Sequence, residues 1–274
     1  MSLEDLGHVC TPQEDGSVRQ FYDERGGARM FDSAFLSREV GQYLNLEAGF
    51  LEQLFRQNPG KHHLVEVGCG YGKYRQWAAD RLLAYDGLDL VAWLIQQGRQ
   101  RPIDNSRELR SSLHVCSCEG IVDLLVQEDL LDSAPGMITL FPFNCFGNLA
   151  RPKVALDAVA FTGASIVVST YGTDPRTTEL RLAYYRRCHY SGLTHETLPY
   201  GNVIRSAEGL CTHAYSQEHL ERMFESANYR LLASRQLGDI GVGYYFGPAD
   251  AAQPEGAHPA DRQSRDHGFK RLDT

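Results

Sequence analysis

No stretch of this chain is apolar over the ~20 residues that a bilayer-spanning helix needs. Residues 1–16 are acidic and polar, without the apolar core of a secretory signal. No membrane partner is expected, and the cytoplasm is the expected compartment. Basic charge is also short: 27 Lys and Arg stand against 35 Asp and Glu, a net charge of −8. Polyanion binding depends on clustered cations, so nucleic acid is not an expected partner, despite the local pair Arg186-Arg187. The seven cysteines are odd in number and form no paired framework, which fits a reducing compartment. Cys116 and Cys118 make a C-x-C pair, but no second pair stands at zinc-finger spacing. His62 and His63 would face opposite ways at the start of a strand, and no metal site is expected.

What is present is enough for a packed core: 274 residues, 42% of them hydrophobic, suit one α/β domain with an insertion. Most informative is the run Val65-Glu66-Val67-Gly68-Cys69-Gly70-Tyr71-Gly72. His63 to Val67 reads as a buried strand and Lys73 to Leu83 as a helix, so the glycines occupy a strand-to-helix turn. There a missing side chain lets backbone approach a ligand closely. A dinucleotide fingerprint needs glycine at the first, third and sixth places, and the sixth place here is Lys73. Glu66 would repel a pyrophosphate but suits an ammonium group. Asp89, at the end of the next predicted strand, is placed to accept hydrogen bonds from ribose hydroxyls.

These residues resemble the class I S-adenosylmethionine-dependent methyltransferases, over positions 60 to 170. Glu66-Val67-Gly68-Cys69-Gly70-Tyr71-Gly72 matches the first motif of that family. The resemblance implies a Rossmann-like, doubly wound sheet of seven strands with S-adenosylmethionine across its carboxyl ends. It assigns Glu66, Gly68, Gly70 and Gly72 to the methionine part and Asp89 to the ribose, with Leu90 a further cofactor-binding candidate. In Cys116-Ser117-Cys118-Glu119-Gly120, either Cys118 or Glu119 takes the place beside the adenine. Residues 1–59 resemble the helical cap of small-molecule methyltransferases, in which Tyr22 matches a tyrosine at the methionine end.

Strand and helix signals alternate as in a doubly wound sheet. Strands are predicted at 84–90, 113–117, 136–141 and 165–169, with helices at 91–99, 120–125 and 153–160. Glu47 to Gln57 carries apolar residues at helical spacing, and Asn58-Pro59-Gly60 stops that helix. A sixth strand is expected at 209–216, a helix capped by Ser216 to about 226, and a final strand or hairpin over 229–246, turning at 239–243. Residues 248–274 read as a flexible tail, leaving 60–247 as the methyltransferase-like domain.

Phe141-Pro142-Phe143-Asn144-Cys145-Phe146-Gly147-Asn148-Leu149 follows the fourth strand, at the rim where such sheets bind ligands. Phe141 is expected on the cofactor side. The run is similar to the Asn-rich segment that N-methyltransferases of small molecules place beneath the methyl group. Asn144 is the candidate catalytic residue there, with turn chemistry as the alternative. The segment from Tyr171 to Leu210 is longer than a simple connection and reads as a substrate lid. Its predicted helix, 179–190, offers Tyr185 and His189 to an acceptor pocket, with Arg186 or Arg187 for a carboxylate. His189 and His213 are the candidate bases. The expected partner is a small-molecule acceptor methylated on nitrogen or oxygen, in secondary metabolism, with a homodimer left open. Two other readings share the glycine run: a donor-binding enzyme that performs cyclisation instead, and a non-catalytic interaction protein.

Overall fold

The computed structural model describes residues 15–24, 26–81, 83–104 and 109–250. Residues 1–14 and almost all of the expected tail, residues 251–274, lie outside the described residues.

The glycine run is held by a parallel sheet. Strand β1 (His63–Val67) pairs in parallel with β2 (Ala84–Asp89) on one side and β4 (Met137–Phe141) on the other. Strand β3 (Ser111–Val115) flanks β2, and β5 (Ser165–Tyr171) flanks β4. β1, β4 and β5 are buried at every position, as strands covered on both faces must be. Side chains alternate between two cores. Leu64, Ile138, Leu140 and Val167 meet α2 (Arg38–Gln57), while Val65, Met137, Phe141, Ile166 and Val168 meet α5 (Ile121–Gln127), α6 (Pro152–Phe161) and α8 (Gln217–Glu225). Between β1 and its two neighbours the chain order reverses direction, and such a point opens a crevice at the carboxyl ends of the strands.

Seven strands form this sheet, in the order β3-β2-β1-β4-β5-β10-β9. The last two are the antiparallel hairpin β9 (Tyr229–Leu237) and β10 (Gly241–Pro248), and β10 inserts beside β5. The expected sixth strand therefore needs correcting. Residues 211–215 do form a strand, β8, but in a separate antiparallel sheet with β6 (Thr194–Leu198) and β7 (Gly201–Arg205). β8 spends its ladder hydrogen bonds on β7, so the hairpin supplies both remaining places in the large sheet. Ser216 caps α8 as expected, accepting from the His219 N–H at 3.2 Å.

At the opposite end of β1, Asp86 collects a buried polar cluster. Its carboxylate accepts from His63 (2.8 Å), His114 (2.7 Å) and both the Nε and Nη2 of Arg110 (2.7 Å each). Three adjacent strands are tied together there. Among the described residues, no helix is long and apolar enough to cross a membrane.

Candidate functional site

The three alternating glycines have φ of +68°, +58° and +81° at Gly68, Gly70 and Gly72. This left-handed region disfavours any Cβ, so the alternation is a backbone requirement. The Gly68 and Cys69 N–H groups both donate to the Leu88 carbonyl, at 2.8 and 3.0 Å. The bend is thereby fixed to the strand that ends at Asp89. Each Asp89 oxygen accepts one backbone N–H: Gly70 to Oδ2 at 2.8 Å and Val91 to Oδ1 at 2.9 Å.

Glu66 is fully buried beneath the bend. Its Oε2 accepts from the Tyr85 hydroxyl (2.6 Å) and the Tyr74 N–H (3.1 Å), while Oε1 has no partner. Burial pushes the carboxyl up to about 8, against those two hydrogen bonds and the Lys73 charge. The folded protein therefore binds this proton between about pH 4.5 and 8, and the stability it contributes falls as pH rises through that window. A cationic ligand seated on Oε1 would ionise the group. Binding of S-adenosylhomocysteine, which carries the same ammonium, is expected to release up to about one proton at pH 7. Calorimetry in buffers of different ionisation enthalpy measures this. Equal heats in all of them would rule the contact out, and Glu66→Gln should abolish the dependence.

Above the bend lies a cavity of about 530 Å³, within the range of small-molecule and cofactor sites. Tyr22, Glu66, Gly68, Gly72, Asp89, Leu90, Cys118 and Glu119 all border it. Gly70 shapes the bend through its bond to Asp89, and Phe141 stands behind the wall, edge-on to Phe146. Cys116, Leu149 and Ala150 join Cys118 and Glu119 at the β3 end. The other end is closed by the N-terminal region: Val18, Arg19 and Tyr22 of α1 (Asp15–Glu24), then Met30, Leu36 and Leu44. Asn148 also borders this end; its Nδ2 donates to the Tyr22 hydroxyl at 3.3 Å, and its Oδ1 is buried without a partner.

The residues expected on the acceptor side are placed elsewhere. Asn144 is buried with its amide fully engaged. Nδ2 donates to Thr212 Oγ1 (2.9 Å) and the His213 carbonyl (3.0 Å), and Oδ1 accepts from Thr170 Oγ1 (2.6 Å). With φ of +60°, it staples β5 to β8 rather than facing the cavity. Tyr185 is buried among Tyr184 and Tyr190. His189 is exposed, edge-on to Phe35. His213 stacks on Tyr215; burial, and then the Arg205 and Arg181 charges, lower its pKa to about 4. None of these four borders the cavity, nor does any other residue of 171–210. Instead, the segment around α7 (Pro175–Arg187) holds the N-terminal cap. Tyr184 donates to the Met30 carbonyl (3.1 Å) and Tyr190 to the Gly26 carbonyl (3.0 Å), while Arg29 donates to the Cys188 carbonyl (3.2 Å). Arg186 and Arg187 are exposed. Burial pushes the Cys145 thiol well above its ordinary value, so it is no thiolate nucleophile near neutral pH.

Sequence reasoning missed Glu47. From α2 it reaches the bend, where Oε1 accepts from Lys73 (2.8 Å) and Tyr74 (2.6 Å), and Oε2 accepts the Phe143 N–H (2.7 Å). Burial pushes its carboxyl up, but Lys73 and these hydrogen bonds outweigh that and hold it below its ordinary value. An ionised Glu47 thus ties the cap helix to both loops that floor the cavity. A readable signal existed: Glu47 falls in the buried stripe of Val40, Tyr43, Phe50, Leu51 and Leu54, where an unpaired acid would be expensive.

No family model matches the chain, and no curated protein matches it in sequence. Solved structures do match. Magnesium protoporphyrin IX methyltransferase from Synechocystis PCC 6803, with bound S-adenosylhomocysteine, is similar at a TM-score of 0.56 and 9% identity, over 84% of this chain and 98% of that one. The 1,6-didemethyltoxoflavin-N1-methyltransferase of Burkholderia thailandensis gives 0.54 and 12%, over 89% and 93%. The plantazolicin methyltransferase BamL gives 0.51 and 11%, over 84% and 94%. At such identities the likeness is one of architecture, and the chain has the fold of the S-adenosylmethionine-dependent methyltransferases.

Proposed function

We propose that this protein transfers a methyl group from S-adenosylmethionine to a nitrogen or oxygen atom of a small molecule, as an enzyme of secondary metabolism. The observation that carries this reading is the buried, unpartnered Oε1 of Glu66 under a triply left-handed glycine bend, opening on a cavity of about 530 Å³. The donor set fits an amino-acid-bearing nucleoside: Glu66 for the ammonium, Asp89 for the ribose diol, and the surroundings of Cys118, Glu119 and Leu149 for the adenine. Bound there, the cofactor would supply a methyl group activated by a sulfonium.

The chain's own task is then alignment and exclusion of water. Tyr22, Met30, Leu36 and Leu44 cover the end away from the adenine, and Phe143 forms its floor. Positioning of this kind can contribute up to ~7–11 kcal/mol. No described histidine borders the cavity, which favours acceptors that present a lone pair without help: a neutral amine or an oxygen already ionised. Asn148 Oδ1 is suited to accept an N–H from such an amine. Small molecules are also bound in two of the matched proteins, 1,6-didemethyltoxoflavin in one and a triazolic desmethylPZN analog in another.

Titration with S-adenosylhomocysteine, followed by incubation with methyl-labelled donor and a panel of heteroaromatic amines and phenols, tests the reading. Micromolar binding and labelled product are expected. Absence of binding at ~1 mM, weaker than about −4 kcal/mol, would defeat it. Tight binding without any labelled product would leave the cofactor and remove the transferase activity.

A further inference from the structure

Arg181 of α7 is fully buried, at 0% exposure, and is not paired with a carboxylate among the described residues. Its Nη1 donates to Asn202 Oδ1 at 2.6 Å, but Nε and Nη2 have no partner. The guanidinium lies over the Tyr171 ring, 4.6 Å from its centroid, and the Tyr171 hydroxyl is likewise buried and unpartnered. An arginine cannot shed its charge, and a buried charge is ordinarily paired. Two idle guanidinium nitrogens and an idle phenol therefore describe a binding site for an anion, built of charged and neutral donors.

This site lies behind the cavity wall at Phe143. Phe143, which floors the cavity, is 6.0 Å from Tyr171 and 6.1 Å from Tyr184, ring centre to ring centre. Phe143 also has φ of +43°, an unusual conformation for a bulky residue, and such strain gathers at ligand-gripping segments. Phe143 thus packs on Tyr171, and the ring of Tyr171 in turn carries the Arg181 guanidinium. Tyr43, Phe143, Tyr171 and Tyr184 pack ring against ring here, and aromatic faces of this kind suit a flat ligand.

We propose that Arg181 and Tyr171 anchor the carboxylate of a planar aromatic acceptor, reached past Phe143. The inference rests on the methyltransferase reading and deepens it by naming the acceptor class. The planar fork of arginine matches a carboxylate through two parallel hydrogen bonds, here from Nε and Nη2. Tyr171 would donate a third. An acceptor anchored in this way has its ring against Phe143 and its reacting atom toward the cavity.

Benzoate, benzamide and sodium chloride serve as probes at matched ionic strength, with and without saturating S-adenosylhomocysteine. Calorimetry and thermal melting should both show benzoate binding at least ~10-fold more tightly than benzamide, with no effect of chloride. Arg181→Met should erase that preference and leave the affinity for S-adenosylhomocysteine within about twofold. Arg181→Lys should retain part of it, and decides the matter if the methionine variant fails to fold. Equal binding of benzoate and benzamide, a preference that survives in Arg181→Met, or saturation by chloride alone would each overturn the proposal. Failure of the donor reading is separable: S-adenosylhomocysteine would not bind, whatever benzoate does.

Discussion

Gly68→Ala is expected to weaken S-adenosylhomocysteine binding by ~100-fold, about 2.7 kcal/mol, with secondary structure intact. Two effects combine at this position. With φ of +68°, an alanine is strained whatever space surrounds it, at a cost of roughly 1–2 kcal/mol. The added Cβ would also stand 2.5 Å from Cys145 Sγ, well inside contact distance. The Cys145 side chain, the bend or the loop after β4 must give way, and all three border the cavity. A companion variant separates the two effects. Cys145→Ala removes the sulfur, so the double variant should recover about tenfold in affinity while keeping the backbone strain. Titration calorimetry on the two single variants and the double variant checks this. An unchanged dissociation constant in Gly68→Ala would mean that the ligand does not lie on the bend.

That experiment probes the part of the molecule most legible in its sequence. Glycine alternation is a backbone signal, because left-handed φ restricts residue type directly. The positions of Glu66 in β1 and Asp89 at the end of β2 were legible differently, from the length and apolar pattern of the strands that carry them. Pairing between distant segments left no such mark. Residues 211–215 alternate like any strand, and nothing in them says whether β5 or β7 is the neighbour; the outcome turned on a hairpin further along the chain. Asn144 shows a related limit. An asparagine in a ligand-side loop reads as a recognition group, yet asparagine also tolerates left-handed backbone. Here it uses its amide to join β5 to β8. The helix at 175–187 was legible in its aromatic content but not in its use. Its tyrosines hold the cap segment from behind, and it is the cap, not this helix, that lines the cavity. Glu47 and Arg181 are buried charges on otherwise amphipathic helices, and only packing reveals which apolar faces they interrupt.

The largest effect on stability is expected away from the cavity, at Asp86. Asp86→Asn should destabilise the fold by about 3 kcal/mol and lower the melting temperature by roughly 6–10 °C. The carboxylate accepts four hydrogen bonds, from two imidazoles and one guanidinium. An asparagine offers a single acceptor oxygen, and its NH2 group would point at donors. Hydrophobic packing cannot compensate, since His63 is almost wholly buried and Arg110 is about one quarter exposed on its side chain. The sign of the pH dependence follows from the direction of the shift. Burial pushes the Asp86 carboxyl up, but His114, His63 and Arg110 together hold it well below its ordinary value of 3.8. The stabilisation is therefore complete above that value and is lost as pH falls through the lower, folded-state value. Urea unfolding of the wild type and Asp86→Asn should show a constant gap from pH 7 down to about 5, narrowing only in stronger acid. A gap that closed near neutrality would place the stabilising charge on another group. S-adenosylhomocysteine affinity should stay within about threefold at 25 °C, because the cluster ties the amino-terminal end of the sheet while the glycine bend and Asp89 occupy the other. A large loss of affinity in the folded variant would show instead that β2 transmits register from the Asp86 cluster to Asp89 at its carboxyl end.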